Sequence, residues 1–217
     1  QRIIEDGFEV TYTIDCLLES NSAESIAKSV GLACISFSDC FRLIKPDLIM
    51  IMGDRFELLA ATQTALFMRI PVAHISGGDT TEGAYDEAIR HSITKMSHIH
   101  FATNIDAEKR IRQLGENPKY IYNAGSPTID YLKSINYISR EELAKDLGVK
   151  FKDIIFVVTY HPTTLGAEES SNEVKELLSA LHEYSSATII ITLSNADNGG
   201  SKINNLLGEF ATNHPNC

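Results

Sequence analysis

The sequence predicts an α/β fold with two lobes, each built on a doubly wound parallel sheet. Strand-like and helix-like segments alternate along the chain, a pattern typical of strand–helix–strand units. Two segments, Leu48–Met52 and Ile154–Thr159, are apolar or β-branched throughout, as expected for strands buried on both faces of a parallel sheet. The polar and charged stretch from Ser134 to Lys152 separates them. We therefore expect one lobe before this stretch and a second lobe after it.

The first lobe, residues 1–135, is expected to contain strands and helices in alternation. Apolar residues recur at helical spacing in its helices, and Pro46 helps to end the helix before the first fully apolar strand. The predicted strands are Phe8–Ile14, Leu48–Met52, Ile70–Ile75, Ile99–Ala102 and Tyr120–Asn123. The predicted helices are Asn21–Val30, Cys34–Ile44, Glu57–Arg69, Tyr85–Met96, Asp106–Leu114 and one that opens with Thr128–Leu132.

Residues 136–152 form the predicted connection, and residues 153–217 form part of a second lobe. The connection carries a helix at Arg140–Leu147. The second lobe contains the predicted strands Ile154–Thr159 and Thr188–Leu193 and the predicted helices Glu168–Glu183 and Lys202–Phe210. The chain begins with Gln1 rather than Met and ends at Cys217 without a closing element. We therefore expect a piece of a longer protein, with both lobes incomplete.

Composition excludes several classes of function. The net charge of −10 argues against a nucleic-acid partner, which would require clustered basic residues. No apolar run approaches the about 20 residues needed to span a bilayer, so no membrane partner is expected. The cysteines (Cys16, Cys34, Cys40 and Cys217) lack metal-finger spacing. Reduced thiols and a cytoplasmic location are therefore expected.

Polar residues follow two of the predicted strands in the first lobe. Ligands of open α/β sheets bind at the carboxyl ends of the strands, and Asp54 and Arg55 follow Gly53 at such an end. An ordinary helix cap is the alternative for Asp54. The loop Ser76–Gly83 holds three glycines, whose backbone N–H groups could face an anion. Because this loop matches neither nucleotide-binding motif, a tight turn without function stays open.

The helix after this loop carries charges on one face. Asp86 and Arg90 are four residues apart and therefore share a face, as do Glu87 and His91. Arginine can bind phosphate through two hydrogen bonds, and a nearby carboxylate can transfer protons. A solvated, salt-bridged face is the alternative.

The second lobe has two polar strand ends. His161 directly follows the strand Ile154–Thr159 and is a proton-transfer candidate together with Asp54 and Asp86. Alone, it would more often be a structural histidine. The second polar cluster, residues 195–200, follows the strand Thr188–Leu193.

These segments together resemble the UDP-N-acetylglucosamine 2-epimerases, both hydrolysing and non-hydrolysing. They are most similar to the hydrolysing branch, which makes N-acetylmannosamine for sialic acid and related nonulosonic acids. Order and spacing agree over nearly the whole chain, and the block from Gly83 to His98 is the most specific. The segments that carry the resemblance are Pro46–Glu57, Pro71–Asp79, Gly83–His98, Gly125–Pro127, Thr159–Pro162 and Ser194–Asp197.

The resemblance implies two Rossmann-like lobes arranged as in the GT-B glycosyltransferases, with a nucleotide sugar in the cleft. It implies elimination of UDP across C1–C2 to a 2-acetamidoglucal, followed by addition of water, without a cofactor or metal. The family generally forms homodimers or homotetramers. Carried over by motif, the catalytic residues are Asp54, Asp86 and His161, and the substrate-binding residues are Arg55, Ser76, Asp79, Arg90, Asn195 and Asp197.

The chain departs from the family pattern in two respects. Many members have a glutamate where this chain has Ser76, and Asp79 is the candidate replacement. The first strand of the family with its Gly-x-Arg loop and the late segment that grips uridine are both absent, so we expect the isolated chain to bind UDP weakly. Two rival functions are a GT-B glycosyltransferase and a non-catalytic sugar-nucleotide sensor.

Overall fold

The computed structural model describes residues 2–18, 22–162, 167–194 and 200–217, and the chain divides into two compact units. Apart from a few residues just before the first long helix, the first unit ends at Ile129 and the second begins at Asp130. The segment interpreted as a connection between lobes, residues 136–152, therefore groups with the second unit. Each unit has its own sheet and its own core.

The first unit consists of alternating helices and strands. Its elements are α1 (Arg2–Glu5), α2 (Ala23–Ile44), β1 (Ile49–Met52), α3 (Phe56–Met68), β2 (Val72–Ile75), α4 (Asp86–Met96), β3 (Ile99–Ala102), α5 (Ile105–Gln113) and β4 (Ile121–Asn123); α6 (Pro127–Ser134) crosses into the second unit. The strands pair in parallel in the order β1-β2-β3-β4. Strands that advance in one direction form one half of a doubly wound sheet. The predicted α/β class is confirmed.

The core of the first unit lies between one face of this sheet and its helices. Ile51 and Val72 from the strands pack with Ala61 and Ala65 from α3 and Ile93 from α4. Helix α2 adds further side chains to the same cluster. This packing fixes α4 against the sheet, because α4 contacts both α3 and β2.

The second unit is a smaller version of the same arrangement. Its elements are α7 (Arg140–Asp146), β5 (Ile155–Thr159), α8 (Ala167–His182), β6 (Thr188–Thr192) and α9 (Gly200–Asn213). β5 and β6 pair in parallel, and α8 packs against α9. Val174, Ile189, Ile203 and Leu207 form the centre of its core. Among the described residues, every helix is too short or too polar to cross a lipid bilayer.

Two predictions about the amino-terminal region are wrong. Residues 8–14 do not form a strand, and Phe8 is 67% exposed. A β-prone segment needs a neighbouring strand to satisfy its backbone, and no described strand pairs with this one. The two helices predicted at residues 21–30 and 34–44 are one continuous helix over the described part of that range, α2. Gly31 does not break it, because a single interior glycine costs a helix only about 1 kcal/mol.

The two apolar strands are not buried on both faces, as their sequences had predicted. In β1, Ile51 is 7% exposed and faces the core, whereas Met50 and Met52 are 60% and 59% exposed. In β5, Val157 is 70% exposed. Successive strand residues point to opposite faces, and the described helices pack on only one face of each strand. Apolar composition therefore overstated the burial of both strands.

Candidate functional site

The carboxyl ends of the first three strands lie at one level. The N–H of Gly53 donates to the carbonyl of Ile75, and the N–H of Ser76 donates to the carbonyl of Phe101, each over 3.0 Å. Both residues have positive φ, 89° for Gly53 and 64° for Ser76. A left-handed conformation costs a serine roughly 1–2 kcal/mol, and such residues cluster at functional sites. The parallel register therefore brings Asp54 and Ser76 to the same edge of the sheet.

Asp54 and Arg90 form an ion pair at this edge. The Nε of Arg90 donates to Oδ2 of Asp54 over 3.1 Å, and Nη2 of Arg90 contacts the same oxygen. The side chains are 12% exposed for Arg90 and 19% exposed for Asp54. No hydrogen bond to Oδ1 of Asp54 comes from the residues that the structure describes, so this oxygen can accept a proton. The sequence predicted both residues as site members but did not predict their pairing.

A buried histidine, His74, lies directly behind this pair. Its Nε2 is 2.9 Å from the carbonyl oxygen of Gly53, and its Nδ1 is 3.2 Å from Oγ1 of Thr94. Oγ1 of Thr94 is also 2.9 Å from the carbonyl oxygen of Arg90. Burial lowers the pKa of His74 to about 4, against the opposing effect of the hydrogen bond to Gly53. The imidazole is therefore neutral near pH 7, with its proton on Nε2, because a carbonyl only accepts.

The sequence analysis assigned no role to His74 or Thr94. The available signal was a histidine within the apolar run from Pro71 to Ile75, one residue before the strand end. A polar ring in such a strand needs a partner when buried, but its partners lie 21 and 20 residues away in sequence. Their identity follows only from how β2 and α4 pack.

Asp79 anchors the loop between β2 and α4. The Oγ1 of Thr103 is 3.0 Å and 2.8 Å from the two carboxylate oxygens of Asp79, and Nδ2 of Asn104 donates to one of them over 3.0 Å. Asn104 also caps α5 through its side-chain oxygen, so Asp79 ties the loop to the start of that helix. Asp79 was predicted to contact substrate in place of the glutamate that many family members have at the position of Ser76, and this stays a prediction.

Glu87 holds the other end of the loop to α4. Its Oε2 accepts a hydrogen bond from the N–H of Thr81 over 2.5 Å, and its Oε1 is 3.1 Å from Nε2 of His91. The hydrogen bond from the Thr81 N–H is the largest of the effects that lower the pKa of Glu87, and the interaction with His91 lowers it further. Asp86, the other predicted carboxylate, is half-buried in the first turn of α4. The loop is therefore fixed at both of its ends.

Arg55 lies at the start of α3, next to Asp54. Its Nε is 3.4 Å from Oε2 of Glu57, and its guanidinium lies 5.3 Å from the ring centroid of Phe56. The side chain is 38% exposed, so it is accessible at the edge of the sheet. A cation placed here can balance the charge of an anionic ligand.

In the second unit, His161 is exposed and follows β5. Its Nδ1 is 3.4 Å from Oγ of Ser194, which follows β6. Asn204 of α9 fixes Ser194 through two hydrogen bonds, from Ser194 N–H to Oδ1 over 2.7 Å and from Nδ2 to the Ser194 carbonyl over 3.2 Å. The sequence analysis missed Asn204. The predicted residues Asn195 and Asp197 lie outside the described residues.

Within the described ranges, His, Cys, Asp and Glu side chains form no group of three or more suited to hold a metal ion. The four cysteines are free thiols, and Cys16 and Cys40 are buried. In the buried thiols, desolvation raises the pKa, which is typical of unreactive core cysteines.

Comparison with known proteins identifies close sequence relatives. A family model described as UDP-N-acetylglucosamine 2-epimerase matches residues 1–215. The chain is 41% identical over 207 residues to the GDP/UDP-N,N'-diacetylbacillosamine 2-epimerase (hydrolyzing) of Campylobacter jejuni, covering 95% of this chain and 54% of that protein. It is 36% identical to the polysialic acid biosynthesis protein P7 of Escherichia coli, covering 93% and 51%. The chain thus spans about half the length of the curated relatives it matches.

Solved structures agree on the fold. The Neisseria meningitidis UDP-GlcNAc 2-epimerase bound to UDP-GlcNAc superposes with a TM-score of 0.69 at 19% identity, covering 92% of this chain and 55% of that one. The structure of Staphylococcus aureus MnaA with UDP superposes with a TM-score of 0.67 at 16% identity, covering 93% and 53%. The fold is thus the GT-B-like fold of these enzymes, as the sequence resemblance implied. On the match over residues 1–215, the chain belongs to the UDP-N-acetylglucosamine 2-epimerase family.

Proposed function

We propose that the full-length protein is a hydrolysing 2-epimerase that converts UDP-N-acetylglucosamine to N-acetylmannosamine and UDP for sialic or related nonulosonic acid biosynthesis. The observation that carries this proposal is the Asp54–Arg90 ion pair, which lies at the ligand-binding edge of the sheet in a member of this family. Two relatives, with 41% and 29% identity, are named as hydrolyzing 2-epimerases, which supports this branch.

The reaction has two steps. A base first removes the proton from C2 of the sugar, the C1–O bond to the diphosphate breaks, and the bonding electrons leave with UDP, so that a C1–C2 double bond forms. Water then adds its hydroxyl group to C1. C2 receives a proton on the face of the sugar ring opposite to the one from which the first proton was removed. Both steps need groups that exchange protons and a positive charge that stabilises the departing diphosphate.

Residues of this chain can fill these roles. We assign proton transfer at C2 to Asp54 and Asp86, with the order of base and acid left open. Oδ1 of Asp54 is the available proton acceptor, because Arg90 occupies Oδ2. Arg55 and Arg90 are assigned to the diphosphate. Arg90 holds Asp54 in place at the same time, which couples the charge of the leaving group to the position of the carboxylate.

Further contacts complete the proposal. His161 is assigned to the phosphates or to proton transfer, and Ser76 and Asp79 are assigned to the sugar. Asn195 and Asp197 are assigned to substrate binding by motif. We also propose a cytoplasmic homodimer or homotetramer that binds a nucleotide sugar, in keeping with the family.

A second class of sugar is also a candidate substrate. The relative with 41% identity is named for N,N'-diacetylbacillosamine and for both GDP and UDP. A sugar with a second acetamido group at C4 would undergo the same elimination, since the chemistry is confined to C1 and C2. The substrates to be compared therefore differ in the nucleotide, UDP or GDP, and in the group at C4 of the sugar.

The test is an assay of full-length protein with a panel of UDP- and GDP-activated 2-acetamido sugars, without any acceptor. We expect release of nucleoside diphosphate together with a free 2-epimerised sugar, identified by NMR. Asp54→Asn should lower kcat by about 10³-fold, as expected for loss of an acid/base group. Asp47→Asn is the matched control, because Asp47 is exposed at the opposite end of the same strand; its kcat should stay within about twofold.

The rival functions give different outcomes. A glycosyltransferase would release diphosphate only when an acceptor is present. A non-catalytic sensor would bind a nucleotide sugar without turnover, and Asp54→Asn would leave its signalling intact. Either outcome with wild-type protein would refute the epimerase proposal.

A further inference from the structure

We propose that His74 is a positioning residue, which sets the location of the Asp54 carboxylate through a closed ring of contacts. This inference rests on the proposed function, because it assigns a catalytic task to Asp54. His74 is 0% exposed and cannot touch the substrate, so it acts only through its neighbours.

The ring passes through five residues. From Gly53 the peptide chain continues to Asp54, whose side chain binds Arg90. The carbonyl of Arg90 lies 2.9 Å from Oγ1 of Thr94, which lies 3.2 Å from Nδ1 of His74. Nε2 of His74 returns to the carbonyl of Gly53 over 2.9 Å. Asp54 is therefore held twice, through its side chain by α4 and through its backbone by β2.

The roles within the ring follow from donor and acceptor chemistry. The carbonyl of Gly53 can only accept, so Nε2 of His74 carries the proton and Nδ1 is left as an acceptor. The hydroxyl of Thr94 carries one proton, which lies between two acceptors, the Arg90 carbonyl at 2.9 Å and Nδ1 of His74 at 3.2 Å. Gly53 itself has φ of 89°, a conformation that gives the turn its direction and that other residues adopt at a cost. The imidazole thus supports an unusual backbone conformation at the residue before Asp54.

Gly77 shows how closely the ring is packed. A Cβ atom at this position would lie 2.8 Å from Nδ1 of His74 and 3.0 Å from Oγ1 of Thr94. The loop that carries Ser76 therefore passes directly over the ring. A displacement of the His74 ring would therefore move both Asp54 and Ser76.

His100 is a matched control inside the same sheet. It pairs in register with His74 on the neighbouring strand and is 1% exposed. Its Nε2 lies 3.3 Å from Oε2 of Glu116, whose other oxygen binds Lys95. These contacts connect His100 to Lys95 in the last turn of α4, and not to Asp54. Replacing either histidine removes a buried ring of equal size, but only His74 is bonded to the turn before Asp54.

The experiment compares His74→Leu, His74→Gln and His100→Leu in full-length protein, with kcat and KM measured separately. A displacement of about 1 Å in a catalytic group costs roughly 10²-fold in rate. We therefore expect kcat of His74→Leu to fall about 10²-fold with KM within about threefold. His74→Gln, whose amide can donate near the position of Nε2, should recover most of this loss. His100→Leu should keep kcat within about threefold.

A second readout does not depend on turnover. The Nε–H of Arg90 donates to Asp54, so its NMR signal and its exchange with solvent report the ring directly. His74→Leu should accelerate that exchange, and His100→Leu should leave it unchanged. Should His74→Leu fail to fold, Thr94→Val tests the same ring from its other side, since it removes the hydroxyl and keeps the shape. We expect about a tenfold lower kcat and faster exchange at Arg90.

The outcomes separate this inference from the proposed function. Equal losses of kcat in His74→Leu and His100→Leu, or unchanged exchange at Arg90 in His74→Leu or Thr94→Val, would overturn the positioning role. If wild-type protein turns over no nucleotide sugar, the proposed function fails, but the exchange measurement still decides whether His74 controls the Asp54–Arg90 pair.

Discussion

Gly78 illustrates how one residue shapes the site. It lies in the loop between β2 and α4, where the loop crosses α5, and its φ is +78°. A Cβ atom there would collide with the carbonyl oxygen of Ala107 and would lie 2.7 Å from Cγ1 of Ile111. The next residue, Asp79, is tied to Asn104 at the start of α5. The absence of a side chain at Gly78 therefore lets the loop lie against α5 and hold Asp79 there.

Gly78→Ala should destabilise the first unit strongly. We expect the free energy of unfolding to fall by about 3 kcal/mol or more, since the change adds both backbone strain and a collision with backbone atoms. Gly125→Ala is the control, because Gly125 has nearly the same φ of +80° but no atom of the described residues lies within 4 Å of the new Cβ; about 1 kcal/mol is expected. Urea denaturation measures both, and equal losses would show that the contact with α5 is unimportant.

At the scale of elements, α2 shows where local sequence signals mislead. The helix runs from Ala23 to Ile44 without a break, although the sequence favoured a division near Gly31. Its buried residues Ser29, Ala33, Cys40 and Phe41 lie along one face that packs on the first unit. Burial of that face outweighs the weak propensity of one glycine. The continuity of the helix is therefore a product of packing.

Gly31→Ala should stabilise the protein by about 0.5–1 kcal/mol, because alanine loses less backbone entropy in a helix interior. Within the part of the chain that the structure describes, no atom outside the helix backbone lies within 4 Å of the Cβ position, so no collision there offsets this gain. Gly208→Ala in α9 is a parallel case with the same open surroundings and should behave alike in the second unit. Thermal or urea unfolding checks both, and a loss of stability in Gly31→Ala would indicate a turn at that position instead.

At the scale of the whole molecule, the two units differ in their buried histidines. Burial lowers the pKa values of both His74 and His100 in the first unit. His100 and Arg90 lower the pKa of His74 further, whereas the Gly53 carbonyl and Asp54 raise it. Lys95 and His98 lower the pKa of His100, and Glu116 raises it.

The first unit should therefore lose stability in mild acid. Its unfolded chain takes up protons on these histidines as the pH falls below about 6.5, whereas folded His74 takes one up only near a pKa of about 4. Stability thus decreases from pH 6.5 to pH 4, by about 3 kcal/mol from His74 alone. Hydrogen exchange, corrected for the intrinsic pH dependence, should show this loss in β2 and β3.

The control is His74→Gln, which removes one of the two titrating groups and should remove the part of this dependence that His74 contributes in β2 and β3. The strands β5 and β6 give an internal comparison, because the described part of the second unit holds no buried histidine. A pH dependence that is the same in His74→Gln and wild-type protein would contradict the assignment to His74.

The sequence by itself determined the kind and order of most elements. Apolar periodicity located β1 to β6 and the main helices, because these signals arise from residues close together in the chain. It also identified the family, since Gly83–His98 and the other motifs are contiguous. The rule that ligands bind at the carboxyl ends of parallel strands predicted Asp54 as a site residue, and the family motif added Arg90 to the same predicted site.

Only the tertiary structure decided which groups these residues contact. Arg90 binds a carboxylate 36 positions away, and His74 binds a carbonyl 21 positions away. Tertiary packing also left residues 8–14 without a strand partner and left one face of β1 exposed. The physical reason is common to all of these features: a hydrogen bond, an ion pair or a buried face needs a partner from a distant part of the chain, and the amino-acid pattern around each residue does not specify that partner.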